Sequence, residues 1–597
     1  MTKRAVFQAF DPVNGSELWI TDGTSAGTQL LKDINPGASS STPGDFTELG
    51  TKTVFTAIDA AHGYEVWITN GTAAGTQLLA DINPGANSSL PALLVTAGTN
   101  VFFRADNGVT GEELWVTDGT TGGTHLVKDI RPGATGSQIN SITELGNKVV
   151  FGANDGVHGI ELWASDGTSA GTQLLLDINP GINPSSPVEF TQLGNKLFFS
   201  AFDPVHGDEL RVTDGTTAGT ALVKDLDAAN TSSAPADFIV AGNKLFFNAV
   251  DGNGQELWVS DGTAAGTVFV KDINPGPNGS FPGNFGVLGN RAIFQADNGT
   301  DGTELWISDG SAAGTVLLKD INAGGGSSSP IEFVQLGNQL LFRAFDATHG
   351  YELWATDGTA GGTHLVRDIN PGSNDSFPSD LTVIGNRVVF RADDGVYGSE
   401  LWSTDGTSAG TKLVTDIYSG LNGSFPSNFG IIDDHTITGT AGKDVLTGTD
   451  SFDFIFGLAG KDTILGLDGD DVINGGRGRD VMTGGLGHDV FDFNSIKDTG
   501  KTAATRDVVT DFTHKVDKID LFDIDAKSGK AGNQAFKFIG QADFHDVKGE
   551  LHYFKVNNPG KAHDFTIVEG DVNGDGAADF QIQLKGLVNL TKADFIL

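Results

Sequence analysis

The chain has 597 residues, 38% of them hydrophobic, which is enough apolar material for sizeable cores and excludes a disordered chain. Asp and Glu number 76 against 37 Lys and Arg, a formal net charge of -39 that repels nucleic acid and anionic membranes and favours cations. There is no cysteine, so disulfides, thiolate metal sites and cysteine nucleophiles are excluded.

The N-terminal MTKRAVFQAFDPVNG lacks the apolar run of a cleaved signal peptide, and no later stretch is apolar and long enough for a transmembrane segment. The phrase Glu-Leu-Trp-x-x-Asp-Gly-Thr-x-x-Gly-Thr then recurs with Glu at 17, 65, 113, 161, 209, 256, 304, 352 and 400, a period of 48 residues and once of 47. Each unit reads as four strands: KLFFSAFD, a short loop, ELWASD, a Gly-Thr turn, TQLLLDI, a Ser/Asn/Pro loop, and EFTQL ending in a Gly-Asn turn.

Four-stranded units at this period predict a nine-unit β-propeller over residues 1–433, with aromatic side chains filling the seams between blades. All eight tryptophans lie in the phrase, at 19, 67, 115, 163, 258, 306, 354 and 402; the fifth unit has Arg211 instead. Phenylalanines 7, 55, 103, 151, 199, 247, 294, 342 and 390 form a second apolar series. The array starts on the second strand of a unit and ends on an orphan first strand, SNFGIID, which ring closure requires. An open solenoid and a ring of eight with a displaced unit stay open as alternatives. The phrase resembles the ELW-x-x-DGT repeat family of bacterial proteins, which implies a fold more firmly than an activity.

One rim of such a ring carries nearly constant Asp-Gly-Thr turns, where Asp22, Asp118, Asp166 and Asp214 suit Asx turns. The other rim varies, with Asn14, His62, Thr110, His158, His206, Asn253, Asp301, His349 and Tyr397 at equivalent places, and is the candidate binding surface. The glutamates of the phrase and the aspartates at 33, 81, 129, 177, 225, 272, 320, 368 and 416 recur in every unit, as structural acids do and a catalytic residue does not.

From 439 the period becomes nine: GTAGKDVLT, GTDSFDFIF, GLAGKDTIL, GLDGDDVIN, GGRGRDVMT and GGLGHDVFD. These match the calcium-binding nonapeptides of RTX (haemolysin-type) parallel β-rolls and place such a roll at 434–493. Glycines allow tight turns with inward carbonyls, each aspartate supplies a hard oxygen for Ca2+, and the apolar eighth residue points into the roll. Successive turns fall on alternate sides, so Asp444, Asp462 and Asp480 share one side and Asp453, Asp471 and Asp489 the other, with Gly442, Gly460, Gly469, Gly478 and Gly487 in the turns. Ser451 and Phe452 break the pattern around Asp453.

Residues 494–597 resemble the C-terminal domain of serralysin-type proteins, through RDVVTDFTHKVDKIDLFDID, GDVNGDGAADFQIQLKG and the ending LTKADFIL. The resemblance implies a β-rich cap and an uncleaved C-terminal signal for type I secretion machinery, hence an extracellular location. It also marks Asp507, Asp511, Asp517 and Asp520 as further calcium candidates, although His514-Lys515 departs from its pattern. Asp571-x-Asn573-x-Asp575-Gly-x-x-Asp579 looks like the start of an EF-hand loop without its final Glu.

His-Glu-x-x-His is absent, which excludes a zinc metalloprotease of that type; the Gly-x-Ser-x-Gly motif of a nucleophile elbow, a complete phosphate loop and a dinucleotide fingerprint are not expected either. The expectation is a secreted calcium-binding RTX protein, more a binding or adhesion protein than an enzyme, presenting its propeller to an extracellular polysaccharide or surface ligand. The alternative is a polysaccharide hydrolase or lyase with Arg104, Arg343 or Arg391 at the channel mouth.

Overall fold

The computed structural model describes residues 2–227, 232–449, 453–469, 471–527, 534–557 and 564–597. The chain divides into two compact units, 3–432 and 433–597 with the first two residues.

The larger unit is a ring of nine four-stranded antiparallel blades, so neither the open solenoid nor the ring of eight applies. The fifth blade shows the plan: Val188–Leu193, Lys196–Asp203, Gly207–Thr213 and Ala221–Lys224, hydrogen-bonded in that order. First strands from Gly44–Leu49 to Ser379–Ile384 pack each against the next, which puts them innermost. The first blade is completed by Ser427–Thr438, which lies beside Thr2–Asp11.

Alternation decides what fills the seams. Phe and Trp face each other across the second and third strands, as in Phe7 with Trp19 and Phe55 with Trp67. They pack on the apolar face of the preceding blade: Phe55, Ala57 and Trp67 meet Val6, Leu18, Ile20 and Leu31. The ring closes through an equivalent seam, with Phe7 and Ala9 against Val389, Leu401 and Val414. Each buried aromatic contributes about 1.5–3 kcal/mol relative to exposure.

The recurrent glutamates and the turn aspartates are held by their own blades, whereas Asp33, Asp129, Asp177, Asp225, Asp272, Asp320, Asp368 and Asp416 each keep one buried carboxylate oxygen without a hydrogen-bond partner among the described residues. Glu17 is fully buried and accepts the N–H groups of Ile34 (2.7 Å) and Ser41 (2.8 Å) and the Ser41 hydroxyl (2.6 Å), tying the fourth strand's exit to the loop that follows. Asp22 accepts the Thr24 N–H (2.8 Å) and hydroxyl (2.7 Å), the Asx turn repeated at Asp118, Asp166 and Asp214.

The second unit opens with parallel strands in two sheets. Val445, Thr463 and Val481 are register partners in one sheet, and Phe454, Val472 and Val490 in the other, each 18 residues after the last. The eighth residues of the second to sixth nonapeptides, Ile455, Ile464, Ile473, Met482 and Phe491, are completely buried between them, and Leu446 of the first is partly buried against the same core. The same core continues into the C-terminal part, where Phe580, Ile582 and Leu584 come from Phe580–Lys585 and Phe595 from the last strand. Roll and cap therefore share one hydrophobic interior.

Candidate metal centre

Stacking nonapeptides at a spacing of 18 residues puts their aspartates above one another. The main-chain N–H of Asp444 donates to Asp462 Oδ1 (2.8 Å) and that of Asp462 to Asp480 Oδ1 (2.8 Å). On the other side Asp453 donates to Asp471 (2.9 Å) and Asp471 to Asp489 (3.0 Å). The ladders then run on beyond the nonapeptides: Asp480 N–H donates to Asp507 Oδ1 (2.8 Å) and Asp489 N–H to Asp517 Oδ1 (3.2 Å).

One oxygen of each carboxylate in a ladder is thus occupied by backbone. The other oxygen of Asp462, Asp480 and Asp507 is buried with no hydrogen-bond partner, an arrangement that calls for a cation. Glycine is needed where these oxygens converge: a Cβ on Gly457 would strike the Gly475 carbonyl oxygen and stand 2.8 Å from Asp462 Oδ2. Gly478, at φ +149 and against the Gly460 carbonyl, has the same requirement. Among the described residues no three His, Cys, Asp or Glu side chains gather around one point; each turn brings one carboxylate, and its neighbours are main-chain carbonyls. A hard donor set of carboxylate and carbonyl oxygens fits Ca2+.

Burial pushes Asp480 up to about 7, with nearby Asp462 adding to it. Burial pushes Asp507 up to about 9, with Asp480 and Asp498 adding to it. Asp517 and Asp520 are also raised, chiefly by burial. Asp511 lies off the ladder, its oxygens accepting the N–H groups of Gly484 (3.0 Å) and Gly485 (2.9 Å), and Asp520 accepts the Phe522 N–H (2.9 Å). Ser451 and Phe452 lie outside the described residues.

A family model for RTX calcium-binding nonapeptide repeats matches residues 438–471 and 456–491, with four copies. This segment is an RTX calcium-binding repeat array. Its cofactor is calcium, and RTX repeats are typical of secreted proteins. No curated protein matches the chain. Among solved structures, the AlgE6R3 subunit of the Azotobacter vinelandii mannuronan C5-epimerase is 22% identical, over 28% of this chain and 83% of that one, with a TM-score of 0.21. The AlgE6R2 subunit is 27% identical over 27% of this chain and 92% of that one, also with a TM-score of 0.21. A puromycin hydrolase is 14% identical over 69% of this chain and 62% of that one, with a TM-score of 0.31. At such TM-scores these likenesses carry no inference about this chain.

Other candidates resolve differently. The EF-hand-like loop is closed on itself: Asp571 accepts the N–H groups of Gly574 (2.6 Å) and Gly576 (2.9 Å), and Asp579 those of Val572 (2.9 Å) and Asn573 (3.1 Å). His514 and Lys515 also gain a role, because the His514 ring (2.9 Å) and the Lys515 N–H (2.8 Å) both meet the buried carboxylate of Asp594.

On the variable rim the histidines are engaged in their own loops, His62 with Asp59 (2.9 Å), His158 with Asp155 (2.7 Å), His206 with Asp203 (2.9 Å) and His349 with Asp346 (2.8 Å). One motif expectation needs correcting. Gly-x-Ser-x-Gly does occur, at 23–27, 167–171 and 406–410, but inside the Asp-Gly-Thr turns, where no helix follows as a nucleophile elbow requires. Arg104, Arg343 and Arg391 share one register position of the second strand, opposite the first strand. The cleft beside Arg343 is lined by neither a carboxylate nor a histidine.

Proposed function

We propose that this is a secreted calcium-binding protein whose roll orders on Ca2+ outside the cell and whose propeller presents its variable rim to an extracellular glycan or surface. The ladder of buried aspartate oxygens on RTX repeats carries the first half of this reading. Asp444, Asp462, Asp480 and Asp507 would hold calcium on one side and Asp453, Asp471, Asp489 and Asp517 on the other, with carbonyls of the turns at Gly442, Gly460, Gly469, Gly478 and Gly487. Asp511 and Asp520 complete the set at its C-terminal end. The bound ions offset repulsion between stacked carboxylates, which links calcium to folding. Type I export belongs to the same proposal through the serralysin-like residues 494–597.

The second half is supported by a constant scaffold with variable positions repeated around a ring, which suits binding through many weak contacts. A glycan array and co-sedimentation with insoluble polysaccharides, both with calcium present, test it. Retention on at least one saccharide is expected, and none on any would overturn the binding role.

A further inference from the structure

Nine copies of one unit show which positions the fold constrains and which it leaves free. In the second strand Phe and Ala flank a single residue in all nine blades, as in Phe342-Arg343-Ala344, yet that residue is Gln, Thr, Arg, Gly, Ser or Asn elsewhere. Two further free positions lie beside it: the residue before the buried Glu, here Tyr351, and one in the loop after the fourth strand, here Phe377. In the other blades the first is Ser, Glu, Ile, Asp, Gln, Thr or Tyr, and the second is Thr, Leu, Gln, Ser, Ala or Phe.

Between the seventh and eighth blades these positions line a cleft of about 470 Å³, within the range of small-molecule sites. Tyr351 and Phe377 stack at 5.5 Å and 25°, and the Arg343 guanidinium lies 5.9 Å from the Tyr351 ring. Phe377 is 51% exposed; the repeat holds this register at positive φ in every blade, +45 here, and the Phe377 N–H donates to the Tyr351 carbonyl (3.3 Å), so the scaffold carries the ring out at the cleft. Asn284, Gln295 and Thr303 bring amide and hydroxyl groups from the other side.

Charge sets this cleft apart. Arg104 lies 3.7 Å from Glu112 and Arg391 lies 3.9 Å from Asp380, whereas among the described residues Arg343 has no carboxylate within 4.0 Å. It donates once, to the Pro378 carbonyl (3.2 Å), and its Nε is buried without a partner. In a chain of net charge -39 this is a guanidinium with donors to spare in a cleft that no acid lines. Flat stacked rings suit the apolar face of a pyranose, and a planar guanidinium suits a carboxylate.

We propose that this cleft binds a carboxylated saccharide, with Arg343 taking the carboxylate and the Tyr351–Phe377 pair the sugar face. The proposal rests on the reading of the propeller as a glycan-binding surface. The test is calorimetric titration of the full chain in calcium with short oligogalacturonates and with malto-oligosaccharides of matching length, for the wild type, R343Q and F377S. Both substitutions place a residue that other blades carry at that register, Gln295 and Ser329, so the fold accepts them. Oligogalacturonate binding is expected to weaken at least about tenfold in each variant with no change in melting temperature, and the neutral oligomers to bind more weakly than the uronates. Uronate binding undiminished in both variants would overturn this site and leave the glycan reading standing. Equal binding of neutral oligomers would overturn the carboxylate's part in it. Binding of neither saccharide by the wild type, together with an empty glycan array, would overturn both.

Discussion

Residue 211 shows what one substitution in a repeat does. Eight blades carry Trp there, and the fifth carries Arg211, buried and ion-paired with Asp203. Burial lowers the Arg211 pKa, the cost that Asp203 offsets. The same Asp-to-His loop contact stands without an arginine at Asp59 and His62 and at Asp346 and His349, where Trp67 and Trp354 fill the seam. R211W is therefore expected to stabilise the propeller, by about 1–2 kcal/mol in denaturant unfolding; a loss of stability would show that the fifth seam is built around the charge. The glutamates show the complementary case. Burial pushes Glu352 up to about 7 even though it accepts the N–H groups of Ile369 (2.9 Å) and Asn370 (3.1 Å).

At the scale of the element, the roll concentrates acids whose pKa is raised in the folded state. Such a group adds stability below its unfolded value of 3.8 and loses it as pH rises through the folded value, about 7 for Asp480 and about 9 for Asp507. Calcium-free protein is thus expected to melt at a higher temperature near pH 5 than near pH 8 in the transition of residues 433–597. Calcium should remove or reverse that trend, because the ion takes the place of the protons, and proton release on binding near pH 7 is the direct check. An unchanged melting temperature across this range without calcium would show that the stacked carboxylates do not repel one another as their burial implies.

At the scale of the whole molecule, two compact units with separate cores predict two unfolding transitions in calorimetry of the full chain, of which calcium moves only that of the RTX unit. A shift of the propeller transition would mean that its repeated acids also bind the ion. Much of this architecture is legible in the chain itself, because period and alternation are properties of sequence: the 48-residue phrase implies four strands per unit, and the nonapeptides imply both the side each aspartate takes and the burial of the eighth residue. Closure into nine blades was implied by the phase of the two ends and decided by the strand that completes the first blade. Resemblance marked Asp507 and Asp517 only as calcium candidates; that they extend the aspartate ladders, at steps of 27 and 28 residues in place of 18, was decided by the structure. Only the tertiary structure could show that the rim histidines are held by their own loops and that free positions of two blades meet at Arg343, because that cleft is made by residues far apart in the chain and brought together by the turn from one blade to the next.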